Sequence, residues 1–330
     1  MERPRIAIIG AGISGLACGQ ALLRAGAGVV VFEKSRSLGG RLATRRWEDH
    51  TVDHGAPWFT LPDGILQVAG DLLQHMDVVT APEWDAASGQ AVVEPGGARY
   101  YLPAGNNRLA KWLAPKVLPR METTVEALRP LPGDRWEVAG ESFEAVVITA
   151  PWPQSRRLLA PWLLESEASA EPTYVRTLTA FFEYEGDRSG PAAAWSGIQH
   201  GPDKDDNGLW RSICENQKPG RIRAGCTVIV AHATPAFSAL HFDADRGLWS
   251  ARLEQTVRAA WQLTAPPRAV FTHRWGFSTT AAPFQEQPVL PRGLYLAGDA
   301  VAGSSAIGGM VGAVWQSGLT VAQKVLAEVH

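Results

Sequence analysis

The feature that most constrains the fold is a glycine-rich turn near the N-terminus. Gly10, Gly12 and Gly15 are spaced as G-x-G-x-x-G between an apolar stretch and a predicted helix. The first glycine permits a tight turn, the second lets a pyrophosphate approach the backbone, and the third lets the helix pack on the strand. Ser14 adds a hydroxyl group where the helix N-terminus can hold phosphate. The spacing predicts a strand–turn–helix unit that binds a dinucleotide.

The residues that follow complete this unit. Val29 to Phe32 form a second predicted buried strand, which Glu33 ends 18 residues after Gly15. An acidic side chain in this place accepts hydrogen bonds from a ribose diol. Lys34 comes next and belongs to the predicted cofactor site. This part of the sequence alone does not distinguish NAD from FAD.

A turn further along favours FAD. Gly40 allows the backbone to pass close to a cofactor, and Arg41 follows it directly. The planar guanidinium of an arginine can bind two oxygens of a pyrophosphate at once. We therefore predict that Gly40 and Arg41 contact the diphosphate of FAD.

The C-terminal segment favours FAD more strongly. An apolar strand ends at Asp299, whose carboxylate suits the hydroxyl groups on the ribityl or phosphate side of a flavin. A long helix predicted over Gly308 to Glu328 begins with small residues, and its first turn includes Met310 and Val311. The N–H groups of such a turn can stabilise negative charge at the N1/O2 edge of the flavin. Because no cysteine follows Cys226, we expect the FAD to be bound non-covalently.

The distribution of strands predicts two interleaved domains. Apolar strands of the parallel-sheet type occur at the start, in the middle and at the end of the chain, whereas the strands between Leu178 and His273 alternate with loops. Thr123 to Leu128 and Arg135 to Val138 alternate like sheet strands. The predicted fold is α/β: a Rossmann-like FAD-binding domain and an α+β substrate domain with a mainly antiparallel sheet. We assign residues 1–60, 100–155 and 285–330 to the first domain, and residues 61–99 and 156–284 to the second.

Composition narrows the range of partners. Lys and Arg total 31 and Asp and Glu total 33, so a formal charge of -2 offers no general basic surface for nucleic acid. No apolar stretch reaches transmembrane length, and no signal peptide is recognisable, so we expect a cytoplasmic protein without a membrane partner. The three cysteines, Cys18, Cys214 and Cys226, show no metal-ligand spacing, and no metal site is predicted.

Several motifs together resemble one family. The general pattern comprises GAGISGL at 10–16, LGGR at 38–41, DHGAPWFT at 53–60, VVITAPWPQ at 146–154 and LAGD at 296–299. A narrower pattern comprises Trp210 with residues 218–221, residues 232–234 with Ser238, and residues 273–275. On these motifs the chain resembles the flavin amine-oxidase superfamily and, more narrowly, the bacterial renalase-like FAD-dependent oxidoreductases.

The resemblance implies further details of the cofactor site. It implies a nucleotide-binding domain of the glutathione-reductase type. Ser14, Arg41, Pro57 and Trp58 match positions that contact the cofactor, and Val125 matches the strand backbone that meets the adenine. His54 is an alternative site for attachment of a flavin, although a loop histidine with a backbone hydrogen bond is the simpler interpretation.

Aromatic and basic residues in the middle of the chain are candidates for contact with the substrate. Aromatic side chains can hold a planar ring, and His or Arg can bind a carboxamide or phosphate. The candidates are Trp58, Trp210, Arg211, His232, His273 and Trp275. For Trp210 and Trp275, packing in the core is an equal alternative. His232 lies in an apolar stretch, which favours a buried histidine over a ligand.

The resemblance also implies a reaction. Renalase-like enzymes oxidise 2- and 6-dihydro isomers of NAD(P)H to NAD(P)+, with O2 as the acceptor and H2O2 as the product. A flavin supplies the hydride chemistry, so no catalytic triad is expected. The alternative is a flavin-containing amine oxidase that acts on a small amine, and the absence of lysine from Ala269 to Phe277 disfavours it. A flavoprotein acting on an apolar substrate is a third possibility, but no membrane-facing helix supports it.

Overall fold

The structure of the protein is a computed structural model. The structure describes residues 3–92, 98–114, 117–163, 171–186, 189–201, 208–302 and 309–329.

Strands provide most of the framework in these ranges. In chain order they are β1 (Arg5–Ile9), β2 (Gly28–Phe32), β3 (Thr44–Trp47), β4 (His50–Asp53), β5 (Asp77–Val78), β6 (Glu83–Asp85), β7 (Gln90–Val92), β8 (Tyr100–Tyr101), β9 (Leu128–Leu131), β10 (Arg135–Val138), β11 (Glu141–Phe143), β12 (Ala145–Ile148), β13 (Thr173–Glu185), β14 (Gly197–Gln199), β15 (Leu209–Cys214), β16 (Cys226–Ala233), β17 (Ala269–Ala282) and β18 (Leu294–Leu296).

Helices lie between these strands and at the C-terminus. They are α1 (Ile13–Arg24), α2 (Asp63–Ala69), α3 (Arg108–Leu113), α4 (Trp152–Leu159), α5 (Pro191–Ala194), α6 (Pro235–His241), α7 (Arg246–Ala260), α8 (Asp299–Ala302) and α9 (Gly309–Val329). The predicted C-terminal helix corresponds to α9, while Gly308, its predicted first residue, lies outside the described residues. None of the helices in the described ranges is long and apolar enough to cross a bilayer.

A four-stranded parallel sheet forms the nucleotide-binding part, with strand order β18-β12-β1-β2. Its strands come from the start, the middle and the end of the chain, as the sequence predicted. One face packs against α1 and α9 through a cluster that includes Ile8, Leu16 and Val325. The other face packs against the antiparallel sheet β9-β10-β11 through Phe143 and Trp136. Because both faces of this sheet are covered, its strands are continuous apolar runs in the sequence.

A seven-stranded sheet forms the second part, with order β17-β13-β16-β15-β14-β6-β7. Every neighbouring pair is antiparallel except β14 and β6, which run parallel. One face is covered by α6 and α7 around Trp249 and Leu253. The hairpin β3–β4 packs near the other face, where Val52 lies in one cluster with Phe181 and Val230. The predicted α/β fold with a mainly antiparallel second sheet is thus confirmed.

One local detail differs from the sequence prediction. Alternation predicted a strand over Thr123 to Leu128, but the strand β9 begins only at Leu128. The backbone N–H of Thr123 donates instead to the carbonyl of Glu33, so this segment runs beside the end of β2 without a ladder. Residues 63–75, expected in the substrate domain, place Ile65 and Leu72 in the same cluster as α1 and α9. The domain boundaries stay a prediction.

Candidate functional site

A cavity of about 680 Å³ opens where the four parallel strands end. Its wall includes Gly10 after β1, Glu33 after β2, Thr149 after β12 and Gly298 after β18. Ligands of open α/β sheets bind in the crevice beyond these carboxyl ends. Twelve of the predicted site residues line it: Gly10, Gly12, Ser14, Glu33, Lys34, Gly40, Arg41, Val125, His273, Trp275, Met310 and Val311.

The turn before α1 has the shape that a pyrophosphate requires. A Cβ added at Gly12 would meet nothing within 4 Å, whereas a Cβ at Gly40 would lie 4.0 Å from the Cα of Gly12. The two glycines therefore leave space for a ligand between two backbone segments. The hydroxyl of Ser14 and Oδ1 of Asn107 are buried without a hydrogen-bond partner among the described residues, and both side chains line the cavity. Such unpaired polar atoms fit a polar ligand.

Gly15 acts on packing and does not line the cavity. A Cβ at this position would lie 2.1 Å from the carbonyl oxygen of Gly10 and 2.9 Å from Oγ1 of Thr149. The missing side chain lets α1 begin directly against the end of β1. The third glycine of the motif thus serves the close helix–strand contact that its spacing indicated.

Glu33 and Lys34 line the cavity directly after the end of β2. The carboxylate of Glu33 is buried and accepts hydrogen bonds from the backbone N–H groups of Ala11 and Ser35, each at 2.8 Å. Lys34 is exposed, and its ammonium donates to Oε1 of Gln154 at 2.9 Å. Val125 lines the same end. These contacts hold the carboxylate of Glu33 against the backbone of the glycine turn.

Arg41 pairs with Asp299 at the opposite end. The guanidinium donates to Oδ2 of Asp299 at 2.6 Å, and Oδ1 of Asp299 accepts from the hydroxyl of Tyr174 at 3.2 Å. Burial alone would raise the pKa of Asp299, but the hydrogen bond and charge of Arg41 and the hydroxyl of Thr280 lower it below its usual range. Arg41 lines the cavity, whereas Asp299 lies behind it and is 1% exposed.

The wall beyond Arg41 is aromatic. The rings of His54 and Trp275 stack with centroids 5.7 Å apart, and the ring of His273 lies 5.0 Å from His54 and 4.2 Å from Trp275. The indole N–H of Trp275 donates to the carbonyl of His54 at 3.2 Å. His54 and Phe277 also line the cavity but were not predicted as substrate contacts. The alternation His273, Trp275, Phe277 along β17 is the sequence signal that could have indicated Phe277.

Both histidines in this wall are held neutral. Burial first, and then the charges of His273 and Arg45, lower the pKa of His54 to about 4 despite the attraction of Asp53. Burial, followed by the positive charges of Arg246 and Arg45, also lowers the pKa of His273. Near neutral pH the aromatic wall therefore presents uncharged imidazoles.

Arg211 and His232 extend the same row across the sheet. Arg211 pairs with His232 in the β15–β16 register, and both His232 and His273 pair with Thr179 of β13, so all four side chains share one face. Oγ1 of Thr179 and Nδ1 of His232 are 3.3 Å apart. Burial and then the charge of Arg211 lower the pKa of His232 to about 3.

Five predicted residues lie outside the cavity lining, besides Gly15 and Asp299: Pro57, Trp58, Trp210, Arg211 and His232. Trp58 is fully buried, and the guanidinium carbon of Arg211 lies 4.6 Å from its ring centroid. Arg211 also binds the buried carboxylate of Glu83, with its Nε at 2.7 Å. Trp58 thus packs on the sheet face that carries Arg211, and the loop after β4 covers this part of the sheet.

A buried cluster of four charges fixes that loop. Asp53 accepts hydrogen bonds from Arg221 and from Lys218, the latter at 3.3 Å, and Glu215 accepts from both cations. The four side chains are at most 1% exposed. Asn106 completes the cluster, since its Oδ1 accepts from Arg221 at 3.1 Å. The cluster joins the DHGAPWFT motif to residues 215–221 and so holds His54 at the cavity.

A second buried cluster has the composition of a metal site. Potential ligand atoms of His50, Glu183 and Cys226 lie within 4.8 Å of one another. The backbone N–H of Arg223 donates to Nδ1 of His50, which leaves the proton on Nε2, 3.3 Å from Glu183. Arg268 also binds Glu183, at 2.8 Å. Protein donors already use these atoms, and we assign the cluster a structural role.

Comparisons with known proteins agree with this geometry. Residues 8–74 match a family described as an NAD(P)-binding Rossmann-like domain. Polyamine oxidase 1 of Oryza sativa subsp. japonica is 42% identical over 60 residues, which are 17% of this chain and 12% of that enzyme's length. "Probable flavin-containing monoamine oxidase A" of Dictyostelium discoideum is 25% identical over 181 residues, 52% of this chain and 39% of that protein. The chain thus matches well under two thirds of the length of these relatives.

The similarity in structure extends over the whole chain. Cyclohexylamine oxidase from Brevibacterium oxydans IH-35A superimposes with a TM-score of 0.79, covering 99% of this chain and 100% of that one at 13% identity. The chain therefore carries a Rossmann-like dinucleotide-binding unit within the α/β fold of the solved amine oxidases.

Proposed function

We propose that the protein is an FAD-dependent oxidase of the renalase-like type. In this proposal it oxidises 2- and 6-dihydro isomers of NAD(P)H, with a proton and O2 as co-reactants and NAD(P)+ and H2O2 as products. The observation that carries the proposal is the course of the cavity. It leads from the carboxylate of Glu33, between Gly12 and Gly40, to an uncharged aromatic wall at His273 and Trp275.

The residues of the cavity fit FAD along this course. Glu33 and Val125 would hold the adenosine, and the segment Gly12 to Ser14 with Gly40 would hold the diphosphate. Arg41, Met310 and Val311 would face the flavin end. Bound FAD supplies a hydride acceptor and passes the electrons on to O2. The relatives and structural neighbours are oxidases by name, which supports a flavin cofactor and an oxidoreductase.

The aromatic wall would bind and orient the dihydronicotinamide ring. Trp275 offers an aromatic face, while the neutral imidazoles of His54 and His273 can exchange hydrogen bonds with an uncharged carboxamide. Loss of hydride from a dihydropyridine requires no general base, because the product ring is already a stable cation. A wall without an ionised acid or base at neutral pH suits such a substrate.

Amine oxidation is the second candidate, since the named relatives act on amines. Superfamily amine oxidases commonly carry a lysine near the flavin. Among the described residues that line the cavity, the lysine present is Lys34, at the end proposed for the nucleoside. Lys218 is buried in the four-charge cluster. This distribution favours the first candidate.

Stopped-flow reduction of the purified yellow protein separates the two candidates. The protein is mixed anaerobically with partly isomerised NADH, with pure NADH, or with a panel of amines, and flavin absorbance is followed. Rapid bleaching by the isomers, and not by pure NADH or amines, is expected. Bleaching by amines alone would overturn the proposal, and a protein that takes up no FAD would remove its basis.

A further inference from the structure

The hydroxyl of Tyr174 crosses from the seven-stranded sheet to the parallel sheet. Tyr174 lies near the start of β13, and its hydroxyl donates to Oδ1 of Asp299 at 3.2 Å. The same hydroxyl accepts from the backbone N–H of Trp152, the first residue of α4, at 3.1 Å. Asp299 follows β18 and Trp152 follows β12, and these two strands are neighbours in the parallel sheet. One side chain of the second sheet thus binds at the carboxyl ends of two strands of the first.

Thr280 adds a second hydroxyl to the same carboxylate. It pairs with Tyr174 across the β13–β17 ladder, and its Oγ1 donates to Oδ2 of Asp299. Arg41 donates to this Oδ2 at 2.6 Å and to the carbonyl of Ser278, on β17, at 3.4 Å. The seven-stranded sheet therefore supplies a donor to each oxygen of Asp299 and an acceptor to Arg41.

Tyr174 stays protonated near neutral pH. Burial first, and then the negative charge of Asp299, raise the pKa of Tyr174 to about 12. The carboxylate of Asp299 stays ionised, because its pKa is lowered below its usual range. A hydrogen bond to an ionised group is stronger than one between neutral groups. The contact from Tyr174 therefore fixes the direction of the Asp299 carboxylate.

The direction of this carboxylate determines where Arg41 points. Both hydrogen bonds that Arg41 makes within the described ranges use Nη1, so Nη2 and Nε stay available to a ligand. Arg41 lines the cavity, whereas Tyr174 and Asp299 do not. A planar guanidinium that is held at one nitrogen presents its other two nitrogens in a fixed direction.

We propose that Tyr174 is a positioning residue for the cofactor: it holds Asp299 against Arg41 and so directs the free N–H groups of Arg41 into the FAD site. This inference rests on the FAD site of the proposed function and is independent of the substrate. It gives the seven-stranded sheet a part in retaining the cofactor.

Titration of the apoprotein with FAD, followed by flavin fluorescence, tests the hydroxyl alone. Tyr174→Phe keeps the ring, which packs edge-on against Phe277 with centroids 5.8 Å apart, and removes the donor to Asp299. The variant should raise the dissociation constant for FAD about tenfold, because one hydrogen bond to a charged group is lost. An unchanged dissociation constant would overturn the proposal.

Tyr295→Phe is the matched control. Tyr295 lies on β18, just before Asp299, and its hydroxyl also donates to a carboxylate, Oε2 of Glu328 at 2.7 Å. That contact is exposed, and neither residue lines the cavity. Tyr295→Phe should bind FAD as the wild type does. A loss of affinity equal to that of Tyr174→Phe would count against a specific role for Tyr174.

A double-variant cycle shows whether Tyr174 acts through Arg41. Arg41→Lys keeps the positive charge beside Asp299 but removes the planar fork. If Tyr174 acts by directing that fork, Tyr174→Phe should change the affinity for FAD by about twofold or less in the Arg41→Lys background. A merely structural role of Tyr174 would give the same loss in both backgrounds, and that result would overturn the proposal.

The substrate proposal can fail separately. A protein that binds FAD but is bleached by no dihydronicotinamide would remove it, and the FAD titrations of the Tyr174 variants would still decide the role of this residue. A protein that takes up no FAD would overturn both proposals.

Discussion

Arg41 and Asp299 are 258 residues apart in sequence and form a 2.6 Å ion pair at the edge of the cavity. The sequence predicted that each residue contacts FAD separately. The structure joins them, so the LGGR turn and the LAGD strand end hold one another in place. Asp299 then positions Arg41, and Arg41 is the member of the pair that reaches the cavity.

Replacement of Asp299 by Asn should destabilise the protein and change its response to acid. Removing one partner of a buried ion pair costs about 3 kcal/mol of unfolding free energy near pH 7. The folded-state pKa of Asp299 is lowered, so its contribution is present above the unfolded-state pKa of roughly 4 and is lost as pH falls further. Urea unfolding between pH 3 and pH 7 checks this. The variant should lose less stability on acidification than the wild type, and parallel curves would contradict the assignment.

Gly12→Ala and Gly15→Ala should have opposite consequences. The Cβ at Gly12 meets open space in the protein and its φ of -76° suits alanine, so the apoprotein should unfold within about 0.5 kcal/mol of the wild type. It should nevertheless fail to retain FAD, because the methyl group occupies the path of the diphosphate. Gly15→Ala meets the carbonyl of Gly10 and should lower stability by about 1–3 kcal/mol. Flavin content and apoprotein unfolding are measured on both variants. A Gly12→Ala protein that retains stoichiometric FAD would refute the turn assignment.

The free energy of unfolding should fall on mild acidification because His54 is buried in its neutral form. Its folded-state pKa of about 4 lies below the unfolded value near 6.5, so the unfolded chain takes up the proton first. The contribution of His54 to the free energy of unfolding is therefore fully present above pH 6.5. It decreases towards pH 4, by about 3 kcal/mol in the limit. In His54→Gln this slope should be reduced, while His75→Gln, at an exposed histidine, serves as the control. Equal slopes for His54→Gln and wild type would show that His54 titrates normally.

Arg221→Met should destabilise the folded protein far more than Arg223→Gln. Loss of Arg221 leaves Asp53 and Glu215 buried with Lys218 as their sole cation among the described residues, at a cost of about 3–5 kcal/mol. Arg223 is partly exposed, and its replacement should change the free energy of unfolding far less. Thermal unfolding compares the two. Because the cluster holds the loop that carries His54, Arg221→Met should also perturb the flavin absorbance spectrum if it folds.

The N-terminal unit was predictable because its constraints are local. The glycine spacing, the strand lengths and Glu33 specify a turn that a few residues make among themselves, and the structure places Gly10, Gly12 and Glu33 in the cavity wall. The prediction for Thr123 to Leu128 was wrong for a related reason. The alternating pattern indicated a strand in a β-ladder. The backbone N–H of Thr123 instead donates to the carbonyl of Glu33, at the end of β2.

The substrate end was predictable only in part. Alternation placed Arg211, His232 and His273 on strands, and the structure aligns them in one row. Sequence periodicity cannot show which part of such a row another segment covers. Trp58, carried by a loop some 150 residues earlier in the chain, lies over Arg211, whereas His273 and Trp275 line the cavity.

The strand order β18-β12-β1-β2 has a consequence for biosynthesis. β18, Gly298 and α9, which complete the cavity, are made after every other strand of this sheet. A nascent chain that ends before Gly298 therefore has the glycine turn without the opposite part of the cavity. We expect such a chain not to retain its cofactor, and flavin loading to begin only after α9 has left the ribosome.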